Sequence, residues 1–315
     1  MNESQQALQS AAYDGEIDLR ELSRILWAGK WLIAGITLAS LVIAATVALM
    51  LPNIYRSEAL LAPNQNQGAG GLSSLAAEYG GLAGLAGINL RTATSDKTAL
   101  GLEILRSRKF ISDFIQRHDI LVPLMAANGW NGKSRELEID SDVYDIVAKK
   151  WVRKVRAPRS AIPSRQESYE VFNEEILSVA QDRKTGFVTI AVDHYSPEIA
   201  KKWVDWLAQD INTTIMRQEV EEAEQAIEYL NKQISATSLA ELQSVFFGLI
   251  EEKTKIVMLA KESPEYIFRT IDPAVEPELP SRPKRGIITT LGMFLGGLVG
   301  ILSVLLRNGV SRKQT

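Results

Sequence analysis

Two stretches depart from the mixed hydrophobic and polar pattern of the rest of the chain. Trp31 to Leu51 and Gly286 to Leu306 are each 21 residues long and carry no charge. About 20 apolar residues take a helix across a hydrocarbon core near 30 Å thick, and helices of soluble cores rarely run so far uncharged. The pattern therefore predicts one membrane-crossing helix near each end. A cleaved signal sequence fits the first stretch poorly, because the apolar run is too long and Asp14, Glu16, Asp18 and Glu21 precede it.

Between the spans the pattern shortens and alternates. Ile54 to Leu61 reads as a strand. The glycine-rich segment from Pro63 to Leu90 has no lysine for a phosphate loop and reads as a flexible or membrane-apposed loop. Leu100, Ile104, Leu105, Ile111, Phe114 and Ile115 make a helical stripe over Ser95 to Gln116, as two helices broken near Ser107. Asp140 to Arg156 is expected to be a helix, with Asp140, Asp142 and Asp145 early and bases late, matching the helix dipole. Ser164 and Glu167 have capping-box spacing. Glu175 to Ala180 and Thr185 to Asp193 read as a hairpin about the turn Asp182 to Gly186.

A long helix is expected next. Ser196-Pro197-Glu198 is a strong start, with a cap, a proline at the first position and then an acid. Ile199, Trp203, Leu207, Ile211 and Ile215 recur every four residues, and Val220, Ala223, Ile227, Leu230 and Ile234 follow at heptad spacing. That seam wants a partner helix. Ser238 to Glu241 is a second capping box, so a hairpin is expected, turning near Ala236 to Ser238 and returning from Leu239 to about Lys261. Its seam is drawn from Val220, Ile227, Leu230 and Ile234 against Leu242, Val245 and Leu249. One continuous helix is the alternative. Tyr266 to Ile271 is a return strand, and Pro273, Pro277, Pro280 and Pro283, followed by Lys284 and Arg285, form a stiff connector into the second span. Within that span Gly292, Gly296, Gly297 and Gly300 form small-xxx-small patterns suited to close helix packing.

Composition narrows the chemistry. The chain has 315 residues, a formal net charge of -3 and no cysteine. That charge does not point to nucleic acid, and thiolate chemistry and disulfides are excluded. The two histidines, His118 and His194, lie far apart in sequence, so neither a metal centre nor any cofactor is expected. Paired acids such as Glu174 and Glu175 suit a surface better than a shared acid-base site, and no enzyme activity is expected. Lys149, Lys150, Arg153, Lys154, Arg156 and Arg159 form a basic run. It is either a contact for anionic glycan or lipid phosphate, or the solvated end of a dipole-matched helix. Bases flanking the spans number six on the terminal sides, Arg20, Arg24, Lys30, Arg307, Arg312 and Lys313, against four on the loop sides, which favours cytoplasmic termini.

The layout resembles the Wzz-type chain length determinants, or polysaccharide co-polymerases. The likeness rests on Glu16 to Leu22 before the first span and Tyr55-Arg56-Ser57-Glu58-Ala59 after it. It rests also on Tyr266 to Ala274 and on Pro277 and Pro283-Lys284-Arg285 leading into the second span. Arg282 stands where the family commonly has serine. The resemblance implies an α+β membrane protein of the bacterial inner membrane. Two transmembrane helices (31–51 and 286–306) would flank a periplasmic mixed α/β base (52–195), a protruding long-helix hairpin (196–262) and the strand and connector (263–285). Cytoplasmic segments 1–30 and 307–315 would complete the chain. It implies self-assembly into a closed ring, often an octamer, with a Wzy-type polymerase, lipid-linked polysaccharide and membrane lipids as partners. Its implied role is non-catalytic control of the modal chain length of O-antigen or a related glycan in Wzy-dependent lipopolysaccharide biosynthesis. Nine residues after the second span are too few for the kinase that one branch of the family carries there, so the kinase-free branch is expected. The alternative is an adaptor that activates a separate cytoplasmic tyrosine kinase for capsule or exopolysaccharide export.

Overall fold

A computed structural model describes residues 19–64, 90–237 and 239–312. In chain order its elements are α1 (Leu19–Ala28), α2 (Lys30–Met50), β1 (Tyr55–Pro63), α3 (Leu90–Arg106), α4 (Arg108–Arg117) and α5 (Leu121–Met125). They continue with β2 (Ala127–Asn131), β3 (Glu136–Ile139), β4 (Tyr144–Asp145), β5 (Lys150–Trp151), α6 (Arg165–Val171), β6 (Leu177–Gln181) and β7 (Val188–His194). The last are α7 (Pro197–Ala236), α8 (Ala240–Glu262), β8 (Phe268–Asp272) and α9 (Arg285–Arg312). They divide into two units, one built from the two ends of the chain and one spanning Asn53–Ser281. The glycine-rich stretch 65–89 and the Ser238 cap lie outside the described residues.

The terminal unit is a pair of apolar helices. α2 and α9 are both long and apolar enough to cross a membrane. Most of their large side chains point outward, Ile43 and Phe294 among them. An apolar face of that extent is unstable in water and calls for a non-aqueous neighbour.

The central unit is built on an antiparallel sheet in the order β6-β7-β1-β8. β1 and β7 pair from Tyr55 opposite His194 to Leu61 opposite Val188. Ser57, Ala59 and Leu61 alternate inward on β1, as period-two pleating requires. β7 is central, and Val188 and Ile190 to His194 are all buried. The first half of α7 lies on this sheet and presents Trp203, Leu207, Ile211 and Ile215 to the core, while α4 adds Phe110, Ile111 and Phe114. α3 and α4 meet at Ser107, whose hydroxyl accepts from the Phe110 backbone N–H at 3.2 Å and caps α4. α7 starts at Ser196, which accepts from the Ile199 N–H, with Pro197 at the first position.

His194 closes β7 under this cap. Its Nε2 donates to the Pro123 carbonyl at 3.1 Å and its Nδ1 accepts from the Ser196 N–H at 3.0 Å. Both ring nitrogens are committed to the neutral form, and burial pushes the imidazole pKa down to about 4.

α7 and α8 form a hairpin, so the single-helix alternative is set aside. At about 1.5 Å per residue α7 is ~60 Å long and α8 ~35 Å. Val220, Ile227, Leu230 and Ile234 on α7 are half-buried. The α8 half of the seam needs correcting. Leu242, Val245 and Leu249 are exposed, and the face turned inward is Gln243, Phe246, Ile250, Lys253, Val257 and Ala260, one position further along. One residue is 100° of helix rotation, enough to carry a stripe from inside to outside.

The helix expected over Asp140 to Arg156 is also corrected. The segment holds the short β4–β5 hairpin instead. Asp140 Oδ1 accepts from the Asp142 N–H, and Asp145 Oδ1 accepts from the N–H groups of Val147 and Ala148, each near 2.9 Å. Aspartates bonded to their own downstream backbone make turns and compete with helix. Lys149 then sits at φ 49, off the right-handed helical region. A π-turn at Phe172–Ile176 displaces the start of β6 to Leu177, two residues beyond the strand start expected at Glu175.

Candidate functional surfaces

The glycine face of α9 lies against α2. A Cβ on Gly292 would lie 2.3 Å from the Ala44 Cβ, one on Gly296 2.5 Å from the Ser40 Cβ, and one on Gly300 3.0 Å from the Ile33 Cα. Gly297 sits at the margin, 3.8 Å from the Thr37 hydroxyl. The contacts step backward along α2 as α9 advances, so the helices are antiparallel. Ser40 donates its hydroxyl proton to the Gly292 carbonyl at 2.8 Å, and Arg285 Nε donates to the Ala48 carbonyl at 3.1 Å, capping α2. Gly292→Leu is expected to lower the disulfide yield of a Thr37→Cys/Gly297→Cys pair about tenfold, since overpacking of this kind costs roughly 1–3 kcal/mol. Non-reducing gels of membranes measure it, and an unchanged yield would show that the close approach is dispensable.

The connector is tied to the sheet as well as stiffened by its prolines. Ser57 donates to the Val275 carbonyl at 2.7 Å, and the Ser281 N–H donates to the Ile54 carbonyl at 2.8 Å. Ala274 is buried while Pro273 and Pro280 are exposed and Pro277 is half-buried. Arg135 bridges Glu198 at the start of α7 and Glu276 in the connector. Pro283 is half-buried and Lys284 exposed, and the Lys284 carbonyl accepts from Ile287 and Ile288 to open α9.

The basic run divides into two kinds of residue. Arg153 turns inward, where Nη1 and Nη2 pair with the Glu167 carboxylate at 2.5 and 2.7 Å, and Nε and Nη2 donate to the carbonyls of Ala161 and Ser160. It is spent on structure. Arg153 foremost holds the Glu167 carboxyl below its usual range, and Arg159 and the Ser164 N–H add to the effect. Lys149, Lys150, Lys154, Arg156 and Arg159 remain exposed.

Three polar clusters have no signature in the sequence pattern. Asp210 accepts from Arg117 at 2.8 Å and pairs with His118 at 3.0 Å, and His118 stacks on Trp206. Glu219 pairs with Lys97 at 2.8 Å and accepts from the Tyr266 hydroxyl at 2.6 Å. Burial first, and Glu219 beside it, push that hydroxyl pKa up. Asn212 joins α7 to the return strand. Each pairs residues far apart in sequence, and only spacing within an element can be read from one chain. Among the described residues no three His, Asp or Glu side chains lie close enough to hold a metal ion.

Two paired apolar helices, one on either side of an α/β unit with a helical hairpin in chain order, define the class of architecture. Within that class, residues 15–118 match the family model of the chain length determinant protein, Wzz, and residues 243–309 match the G-rich domain on putative tyrosine kinase. Residues 15–118 thus carry a chain length determinant domain, running from ahead of α1 through α4. The G-rich match brings the kinase-associated branch into the reading beside the kinase-free one expected from sequence. A full-length bacterial polysaccharide co-polymerase is similar over 94% of this chain and 98% of its own, with 15% identity and a TM-score of 0.39. A fragment of WzzB, a polysaccharide co-polymerase from Salmonella Typhimurium, is similar over 73% of this chain and 100% of its own, with 10% identity and a TM-score of 0.31. No curated protein matches.

Proposed function

We propose that this chain is a non-catalytic, oligomeric regulator of polysaccharide chain length. In this reading α2 and α9 cross the inner membrane, both termini face the cytoplasm, and the central unit stands in the periplasm. The observation that carries it is the chain length determinant match over residues 15–118. The outward apolar faces of α2 and α9 support the two crossings. Exposed Trp27 and Trp31, with Lys30 Nζ 4.9 Å from the Trp27 ring, suit the aromatic belt of a bilayer interface. Copies of the chain would assemble into a closed ring, an octamer by family resemblance, working with a Wzy-type polymerase on lipid-linked polysaccharide. The outer surface of the α7–α8 hairpin would govern how long the polymer stays engaged.

Deleting the gene and separating the surface glycan on a gel tests this reading. The expected result is loss of the modal length with polymer still made, and substitutions between Glu219 and Leu249 are expected to shift that mode. An unchanged ladder would end the proposal. The G-rich match favours a second reading, an adaptor for a separate cytoplasmic tyrosine kinase in capsule or exopolysaccharide export. Loss of the polymer together with loss of cytoplasmic phosphotyrosine would select it.

A further inference from the structure

The β4–β5 hairpin carries a surface feature that neither the core nor the family matches explain. Its loop, Ile146-Val147-Ala148-Lys149, is exposed throughout. Ile146 is 60% exposed and Val147 95% exposed, the highest value among the exposed large apolar side chains. Branched aliphatic side chains held in water with no internal partner are unfavourable unless something apolar covers them.

The loop is also braced in place. Asp145 turns its carboxylate inward to take the backbone N–H groups of Val147 and Ala148. Tyr144 and Trp151 face each other across the base of the hairpin in an edge-to-face pair with centroids 5.0 Å apart, and the Val152 N–H donates to the Val143 carbonyl. Lys149 and Lys150 follow the aliphatic pair after Ala148. Lys154, Arg156 and Arg159 are exposed next in sequence, and Val152 and Val155 lie between them, partly exposed.

We propose that this hairpin tip docks on the surface of an anionic phospholipid bilayer, with Ile146 and Val147 entering the acyl boundary and the lysines meeting the phosphates. A soluble polyanion would satisfy the lysines and leave Val147 in water. A wholly apolar partner would leave the lysines unpaired at the rim. A bilayer surface offers both chemistries at the right depth, hydrocarbon a few ångströms beneath a layer of negative charge. The inference rests on the membrane reading of α2 and α9. In that reading the chain runs from the central unit into a membrane helix at both of its ends, which keeps a bilayer within its reach.

The chain has no cysteine, so one introduced cysteine can be labelled uniquely. Val147→Cys carries an environment-sensitive fluorophore in the full-length protein, reconstituted into nanodiscs of phosphatidylcholine with or without phosphatidylglycerol, each doped with lipids bearing spin-label quenchers at shallow and at mid-bilayer depth. Leu298→Cys on α9 reports the apolar helix, and Arg183→Cys on the β6–β7 turn reports water. The expected result is a blue-shifted, quenched Val147 label in the phosphatidylglycerol discs, weaker quenching in phosphatidylcholine alone and none at Arg183. Lys149→Gln with Lys150→Gln should lower the docked-to-undocked ratio roughly thirtyfold, from the attraction of two bases to an anionic surface. A Val147 label unquenched in both lipids while the Leu298 label is quenched overturns the proposal. So does quenching that ignores both lipid charge and the lysine changes. Quenching by spin-labelled dextran sulfate without lipid quenching would assign the tip to an anionic polymer, and self-quenching between labelled copies without lipid quenching would assign it to a second copy. Either overturns the proposal. An unquenched Leu298 label removes the membrane reading itself and the docking with it.

Discussion

Replacing Asn212 with leucine is expected to destabilise the central unit by about 3 kcal/mol or more, since each buried polar group left without a partner costs roughly 1–3 kcal/mol. The Asn212 amide behaves like a piece of strand set into a helix. Its Oδ1 accepts from the N–H groups of Ile267 and Phe268, both at 2.8 Å, and its Nδ2 donates to the Phe268 carbonyl at 2.9 Å and to the Ala208 carbonyl at 3.1 Å. Leucine would leave three backbone groups of the return strand buried and unanswered. The predicted phenotype is a lowered melting temperature for the detergent-solubilised chain and early proteolysis around Tyr266 to Asp272. Asn212→Asp separates hydrogen bonding from size. Its carboxylate keeps the two acceptor roles but faces the Phe268 carbonyl with no proton to give, so it is destabilised at neutral pH and partly rescued by acid, which restores a donor. A leucine variant as stable as the parent would show that water reaches this strand.

The second large effect is expected at Glu167. The Arg153–Glu167 pair leaves only 12% and 13% of its side chains exposed. Removing one member of a buried pair costs about 3–5 kcal/mol, chiefly because the other charge is stranded. Here the pair is only partly buried and Arg153 keeps the carbonyls of Ser160 and Ala161, so Glu167→Ala should fall below that range, about 2 kcal/mol. The double variant Arg153→Met/Glu167→Leu should recover most of that loss, because neither charge then has to be desolvated. Urea unfolding of the four proteins of the cycle measures it. The pH dependence follows from the depressed Glu167 pKa. The contribution is present above the ordinary glutamate range and fades as pH falls through the lower, folded-state value. If the double variant were as unstable as the single one, the pair would matter for shape and not for charge.

These two residues also mark where sequence reading stops. The long apolar helices near the ends, the capped start at Ser196 and the break at Ser107 were legible because each depends on neighbours within one turn or one run of chain. The α7 seam was legible because Val220, Ile227, Leu230 and Ile234 are the only large aliphatic residues from 220 to 234, in a stretch that is otherwise mostly polar. On α8 apolar side chains occupy several faces at once, from Leu242, Val245, Phe246, Phe247 and Leu249 to Val257, Met258 and Leu259, so periodicity does not choose among them and the inward stripe lies one residue beyond the expected one. In Asp140 to Arg156 the order of acids before bases fits a helix dipole, but aspartates that bond their own backbone produce the same order in a pair of turns. Asn212 has the look of a surface position, and its role appears only when the return strand, more than fifty residues later, is laid beside it. The exposed lysines were visible as a run. What distinguishes them from Arg153, turned inward on Glu167, was not.

The unequal arms of the hairpin have a mechanical consequence. α7 is one uninterrupted helix of 40 residues whose first half is clamped on the sheet through Trp203, Leu207, Ile211 and Ile215, and whose second half carries α8. It is therefore a lever with its fulcrum in the core. A tilt of about 5° at the clamp would swing the end of the free half, ~30 Å of helix, by about 3 Å, so small adjustments beneath the sheet arrive magnified at the hairpin's turn.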